Sequence, residues 1–559
     1  MLNGSPLNAG PLNSLPGGAV EPVYVVRGQS FVWALRVLVG GVNLTSQLTG
    51  AVTVDREEGA AGIASFDLYI APGTPVVPPD WKGRSVTVDY ITTSQGVTTE
   101  ARRFTGQISI ANWNPVTRLL SCECSDQLQQ RVEGMTVTAI DALIGGYWSA
   151  DVFEPVEGRS HWDYALERLS TRPDSLDCSP TGELRVTSWF AQAPRFVFGE
   201  GTVAYQTPQL QESDLSNTTN RVEIEFSYRY SRLWQRNQNY TWLVPAGSFC
   251  EWRLDAHDLP TIDMVQGAVT GAGFSIVSES YVTAPLSDPD PCGTGSPWIN
   301  NFDNLVIGTG ITGGRRWVQT VTETYTLTLA APAGEVEATQ VVQRQSATLQ
   351  IESAAAEEWT EADMADAATA YQDEFDDARR AAVFDVVVNE AKTELIAASR
   401  QTVLSWQVPT SMVLGIDLIH TLEVDCSGVR ARGKCRRVVD TFDLSSGSAT
   451  TALSIALMRG GGTSDPIVMP GRIGATPIDP GEGASIVLPT QIGGRLADPP
   501  YDEEKLGFSG NWSGGGLGEQ YPRRFALEAP EIPAADRDEL ALASTTLFRV
   551  GIPNDLLEM

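Results

Sequence analysis

Histidine is nearly missing from this chain of 559 residues, which carries only His161, His257 and His420. None stands in a His-Glu-x-x-His helix or another ligand spacing, so each is read as structural and no histidine-based metal or acid–base centre is expected. Cysteine is sparse too. Seven in so long a chain do not make a disulfide framework, and the odd count leaves a thiol unpaired, which fits cytoplasmic synthesis. The closest pair, Cys122 and Cys124 in Ser-Cys-Glu-Cys-Ser, has the alternate spacing that puts both thiols on one face of a strand. No second pair completes a zinc site.

Positive charge is in short supply as well: 39 Lys and Arg face 69 Asp and Glu, for a net charge of −30. Gripping nucleic acid depends on clustered basic groups that release counterions, so a DNA-binding outer surface is excluded. An acidic channel wall would instead repel a duplex and let it pass without specific binding. No apolar run approaches the length needed to span a bilayer, and the first residues lack the basic start and apolar run of a signal peptide. Neither a leader nor stable membrane insertion is expected.

The signatures of catalysis are equally thin. No Gly-x-Ser-x-Gly elbow occurs. The run Gly428-Val429-Arg430-Ala431-Arg432-Gly433-Lys434-Cys435 matches a phosphate-cradling loop until Cys435, where a magnesium-binding Ser or Thr belongs. Strand patterns flank it on both sides, whereas such a loop must open a helix, so it reads as a basic β-turn. Acidic residues are plentiful, but nothing singles out two with opposed environments. The chain is read as non-enzymatic, with no catalytic, cofactor-binding or metal-ligating residue and no cofactor.

What is present is β-pattern. With 42% hydrophobic and only 19% charged residues the chain is globular, and it is too long for one core. Residues 1–20 form an extended arm. Its Pro6, Pro11 and Pro16, one every fifth residue, forbid a helix, leaving a frayed tail or a segment laid on a neighbouring subunit. From Tyr24 to Asp126, strands are expected over 24–26, 31–39, 52–54, 65–69, 85–90 and 104–110, forming an antiparallel barrel or sandwich in a domain 21–145. A small α+β insertion, 146–200, holds a helix with Trp162, Ala165, Leu166 and Leu169 on one face, then a turn at Ser179–Gly182 into a strand 184–189.

Alternation is sharpest over 222–230, where Val222, Ile224, Phe226, Tyr228 and Tyr230 should share a dry face. A second long strand is expected at 317–329. Residues 359–400 read as one helix, with Thr360 as N-cap and Met364, Ala368, Tyr371, Phe375 and Ala378 as its buried stripe. Its other face, Glu361, Asp366, Asp373, Glu374 and Asp377, reads as solvated or as the rim of a pore. Strands return at 403–406, 416–424, 435–442 and 450–458. The remainder, 461–559, is a Gly/Pro-rich extension expected to contact partners.

Ordered along the chain, several short motifs resemble the baseplate hub family of long-tailed bacteriophages, related to the hub of contractile tails and the base of type VI secretion spikes. Trp81-Lys82-Gly83-Arg84, Phe104-Thr105-Gly106-Gln107-Ile108 and Cys124-Ser125-Asp126-Gln127-Leu128-Gln129 look like the wall strand, return strand and closing segment of a first tube-like domain. Trp162-Asp163-Tyr164 and Asp177–Leu184 resemble the inserted helix and hairpin. Asn220-Arg221-Val222 with Tyr228–Arg232, and the stretch from Arg436 to Ala456, resemble the two ends of a second tube-like domain.

The resemblance implies a mainly β fold with minor α: two tube-like antiparallel domains, inserted α+β regions and an extended C-terminal segment. The second tube-like domain would comprise 201–248 and 400–460, split by an inserted β region with an acidic helix at 249–399. It also implies a homotrimer in the virion tail tip whose six units form a ring adapting a sixfold tail tube to a threefold tip. Distal tail protein, tail tube, tape measure and tip fibre or spike proteins would be its partners, with tape measure and DNA passing through the channel. A receptor-binding or fibre-anchoring protein is the alternative reading, and a cell-wall-degrading tail enzyme a third.

Overall fold

The computed structural model describes residues 22–26, 32–94, 96–212, 219–243, 261–283, 287–290, 293, 295, 297–299, 306–332, 343–345, 348–359, 369–475, 486–487, 507–508, 525–526 and 531–559. The proline-spaced arm, Phe31, His257, Thr360, Glu361, Met364, Asp366 and Ala368 lie outside them.

The fold is mainly β, because period-two alternation is long enough in many places to bury one face of a strand. A 15-stranded, curled sheet runs in the order Val23–Tyr24, Phe196–Phe198, Thr421–Cys426, Val429–Asp443, Leu48–Glu57, Ile63–Tyr69, Leu119–Ser125, Val97–Asn114, Ser85–Ser94, Val32–Val39, Val42–Asn43. Thr402–Pro409, Ser448–Leu457, Gln209–Gln211 and Leu557–Glu558 attach to this path. It wraps two cores. One gathers Val54, Phe66, Val88, Tyr90, Leu120 and both thiols of Cys122 and Cys124. The other gathers Phe198, Trp406, Leu422, Cys435, Leu453 and Ile455.

A second, eight-stranded sheet is built on a long antiparallel pair, Arg221–Leu243 with Val306–Ala330. Val222, Ile224, Phe226, Tyr228 and Tyr230 are all buried, as their alternation requires, beneath Val383, Phe384, Val387, Val388 and Leu395 of a helix, Asp377–Ser399. Pairing therefore groups the strands 402–457 with the first β-region and 221–243 with 306–330, whereas the motif order grouped 201–248 with 400–460.

Three expectations are corrected. The helix expected over 359–400 begins only at Asp377, where the Asp376 side chain accepts from the Arg379 N–H at 3.0 Å. Thr369–Glu374 is instead a strand paired along Ser231–Arg236, so Tyr371 belongs to the sheet and Phe375 to the turn before the helix. The side chains of Asp373 and Glu374 are buried rather than solvated: the fully buried Arg232 needs a carboxylate and its Nε reaches Asp373 at 2.6 Å, Arg472 binds the same group at 2.5 Å, and Glu374 accepts from Gln372 at 2.6 Å. Asp377 alone of the described acidic set is well exposed.

In the small helix His161–Ser170, Tyr164 is buried and Leu166 is 42% exposed. The Tyr164 hydroxyl donates to Asp141 at 2.6 Å and its ring meets Trp148 edge-on, so Tyr164 enters the core beside Trp162, Ala165 and Leu169, and of the four residues of the expected face only Leu166 is turned out.

Leu540–Arg549 runs parallel to Val321–Ala330 as a further strand of this chain's own sheet, and Phe548, Val550 and Ile552 enter its core. Residues 531–559 thus pack on their own chain. The alternation of Leu540, Leu542 and Phe548 was the missed signal.

Candidate functional site

The sequence-derived candidates for chemistry are placed in structural roles. Gly428–Cys435 is the start of a strand after a two-residue turn, and Lys434 points inward, donating to the Leu418 carbonyl; burial pushes its ammonium below the usual lysine range. His161 Nδ1 lies 2.7 Å from the Met135 carbonyl oxygen. His420 accepts the Asp417 N–H at 3.1 Å, with burial holding its pKa down. Cys122 and Cys435 are buried and their thiols pushed up to about 12 by that burial. Among the described residues no group of His, Cys, Asp and Glu is placed to hold a metal, and no helix is long and apolar enough to cross a membrane.

What the backbone does contain is a repeated unit. In the first copy, Val97–Asn114 pairs with Leu119–Ser125; in the second, Val429–Asp443 pairs with Ser448–Leu457. Gln107 stands opposite Ser125, Ile108 opposite Cys124, Ser109 bulges, and Ile110 meets Glu123. Lys434 stands opposite Ala456, Cys435 opposite Ile455, Arg436 bulges, and Arg437 meets Ser454. The bulge falls at the same step.

Each bulge is preceded by a glycine where no side chain fits. A Cβ on Gly106 would overlap the carbonyl oxygen of Ser125, and one on Gly433 that of Ala456. Just beyond, the Ile108 N–H donates to the Arg84 carbonyl at 3.0 Å, and the Cys435 N–H to the His420 carbonyl at 2.9 Å. These bonds bring in the preceding strands, Ser85–Ser94 and Thr421–Cys426, at equivalent places.

The two closing turns match as well. Asn114 Oδ1 accepts from the N–H groups of Val116 and Thr117 at 3.0 and 3.2 Å; Asp443 Oδ1 accepts from Ser445 and Ser446 at 2.8 and 3.3 Å. Each turn ends on a left-handed residue, Arg118 (φ 57°) or Gly447 (φ 70°). A further pair of strands completes each copy: Thr53, Val54 and Asp55 face Ser65, Ala64 and Ile63, while Gln209, Leu210 and Gln211 face Ser405, Leu404 and Val403. Both follow a left-handed residue, Gly50 (φ 72°) and Gln206 (φ 63°).

The copies meet where Ala51–Glu57 of the first pairs antiparallel with Arg437–Asp443 of the second. Three contacts lock this junction. Arg103 forks onto Asp440 at 2.6 and 2.7 Å, both fully buried, and Thr451 donates to the same carboxylate at 2.6 Å. Trp33, Tyr90 and Phe442 stack, with Trp33 Nε1 donating to the Gly447 carbonyl at 3.0 Å. Tyr90 Oη lies 2.6 Å from the Ser411 hydroxyl. Nearby, Asp417 binds Arg56 at 2.7 Å and Arg185 at 2.5 Å, tying the inserted hairpin to both copies. Burial pushes the Asp417 carboxyl up, but the Arg185 hydrogen bond and the Arg56 charge outweigh it and leave it at about 2.

Comparison with known proteins finds no matching family model and no matching curated protein. Among solved structures, the chain is similar to a tail protein from Neisseria meningitidis, at 13% identity and TM-score 0.37, over 76% of this chain and 96% of that one. It is similar to a 43 kDa prophage tail protein from Shewanella oneidensis, at 10% identity and TM-score 0.37, over 75% and 97%. A prophage tail protein from Listeria monocytogenes follows at 6% identity and TM-score 0.32, over 75% and 94%. These likenesses are too distant to assign a role.

The site is thus a junction between two equivalent β-units, not a cleft with convergent reactive groups. Sequence reading anticipated two tube-like units through motif resemblance but missed their residue-level equivalence. The legible signals were slight: a glycine inside each long strand and an Asx residue opening each four-residue turn. Identity between the copies is otherwise too low for a repeat to show.

Proposed function

We propose that this chain is a structural baseplate hub of a phage tail tip, three copies of which stand around the tail axis so that their six β-units form a ring. The observation that supports it is the pair of equivalent units joined edge to edge within one chain. An open sheet leaves unpaired backbone groups at its rims, and repeating one junction head to tail removes them if the rotation closes. Two units per chain let a threefold assembly present six similar faces to a sixfold tail tube; the number three comes from the family resemblance.

In this reading the distal tail protein and tail tube sit above the ring, fibre or spike proteins attach below, and tape measure and DNA pass through. The net charge of −30 suits a wall that must not hold DNA. The protein acts in the virion, without cofactor or catalysis.

Sedimentation of the purified chain tests this directly. A trimer that appears in top-view electron micrographs as a six-lobed ring is the expected result. A monomer at every accessible concentration would remove the reading.

A further inference from the structure

Resting on that ring reading, we propose which strands join one copy to the next: Gln209–Gln211 of one chain pairs antiparallel with the Ile110–Asn114 edge of its neighbour. The junction inside the chain is the template. There, Ala51–Glu57 of the first unit covers the Arg437–Asp443 edge of the second, just past the bulge.

Each half of that junction has a counterpart. Gln209–Gln211 occupies in the second unit the place that Thr53–Asp55 holds in the first. Ile110–Asn114, past the bulge at Ser109, occupies in the first unit the place that Arg437–Thr441 holds in the second, whose hairpin arm runs two residues further before its turn. The template edge is covered within the chain. Its counterpart is not: among the described residues Ile110–Asn114 pairs only with Leu119–Glu123, and Gln209–Gln211 only with Val403–Ser405.

Register follows from the bulge. Thr53 faces Thr441, Val54 faces Asp440 and Asp55 faces Val439. Counted from the same bulge, Gln209 meets Asn114, Leu210 meets Trp113 and Gln211 meets Asn112. Side-chain parity agrees, since Leu210 and Trp113 are half-buried against their respective cores while Gln209, Gln211, Asn112 and Asn114 are exposed. The surroundings leave room for a neighbour: Ile110 is 43% exposed, Val116 90% and Tyr205 88%.

The two junctions differ in one respect. Arg430 takes the place of Arg103 in the second unit, but it pairs with Glu423 at 3.3 Å near the surface. The residue that would take the place of Asp440 is Trp113. The junction between copies therefore lacks the buried ion pair of the junction within the chain, and joins by backbone pairing and apolar contact alone.

The test uses full-length protein carrying Gln209→Cys, protein carrying Asn114→Cys, and their mixture under mild oxidation. Directly opposite residues in an antiparallel pair bring Cβ atoms to about 4.5–5.5 Å, within reach of a disulfide after slight adjustment. The expected result is a two-chain band on a non-reducing gel in the mixture only, and a three-chain species when both substitutions share one chain. A second variant, Ile110→Lys with Asn112→Lys, alters only exposed side chains and should replace the trimer peak with a monomer peak at unchanged circular dichroism. A wild-type trimer with no band between chains, unaffected by the lysines, overturns this strand assignment while the ring stands. A bond formed within one doubly substituted chain overturns it as well, by showing that Gln209–Gln211 covers the edge of its own chain. A wild-type monomer removes the ring reading and this inference with it.

Discussion

Arg103 and Asp440 come from strands more than three hundred positions apart in sequence, yet both are removed from water and forked together. Removing one partner strands a buried charge, so Arg103→Met or Asp440→Leu alone should destabilise by about 3–5 kcal/mol, whereas the double substitution should cost far less. Urea unfolding of the set checks this. Gly106→Ala and Gly433→Ala press a methyl group into a neighbouring carbonyl and should each cost at least about 2 kcal/mol, with a falling unfolding midpoint as the readout. Asp417 sets a pH limb. Its pKa of about 2 lies below the ordinary 3.8, so its contribution is present above pH 3.8 and is lost as pH falls towards 2. That contribution is on the order of 2 kcal/mol, and the stability gap between wild type and Asp417→Asn should narrow across this window.

At the scale of elements, the strand Leu540–Arg549 decides whether the second sheet is sealed. It pairs with Val321–Ala330 along its whole length and leads Val550 and Ile552 into the core beside the helix Asp377–Ser399. A chain ending at Glu539 would bare that edge and the apolar face beneath it, and should aggregate or become protease-sensitive around residues 377–399, as limited proteolysis with mass spectrometry would show. Elements with strong local signals were legible: the alternating Val222–Tyr230 segment, the Cys122/Cys124 face and the small helix after Ser160 all form where their periodicity places them. Thr369–Glu374 was not. Its tyrosine and acidic residues also fit helical spacing, and only the neighbouring Ser231–Arg236 strand, with Arg232 buried in it, makes the extended form the better one.

For the whole molecule, charge and symmetry act together. In the proposed ring, three copies each carrying −30 would repel one another at low ionic strength, so raising salt from roughly 20 mM to roughly 200 mM should move the assembly from monomer towards trimer, as sedimentation velocity would record. A DNA-gripping ring would show the opposite trend in DNA binding, with affinity appearing at low salt.

The chain's own residues determined the β-rich class, the absence of a histidine or cysteine metal signature, the acidity and the order of the motifs that carry the resemblance to a baseplate hub, because composition and local periodicity act over a few residues at a time. Only the tertiary structure decided that strands 402–457 pair with the first β-region, that Asp373 and Asp440 are buried partners rather than surface charges, and that the hairpins of the two units bulge at the same step. Those facts depend on which distant strands meet. Backbone hydrogen bonds are alike whichever strands pair, so the choice falls to side-chain packing between segments far apart in sequence, which no local window reveals.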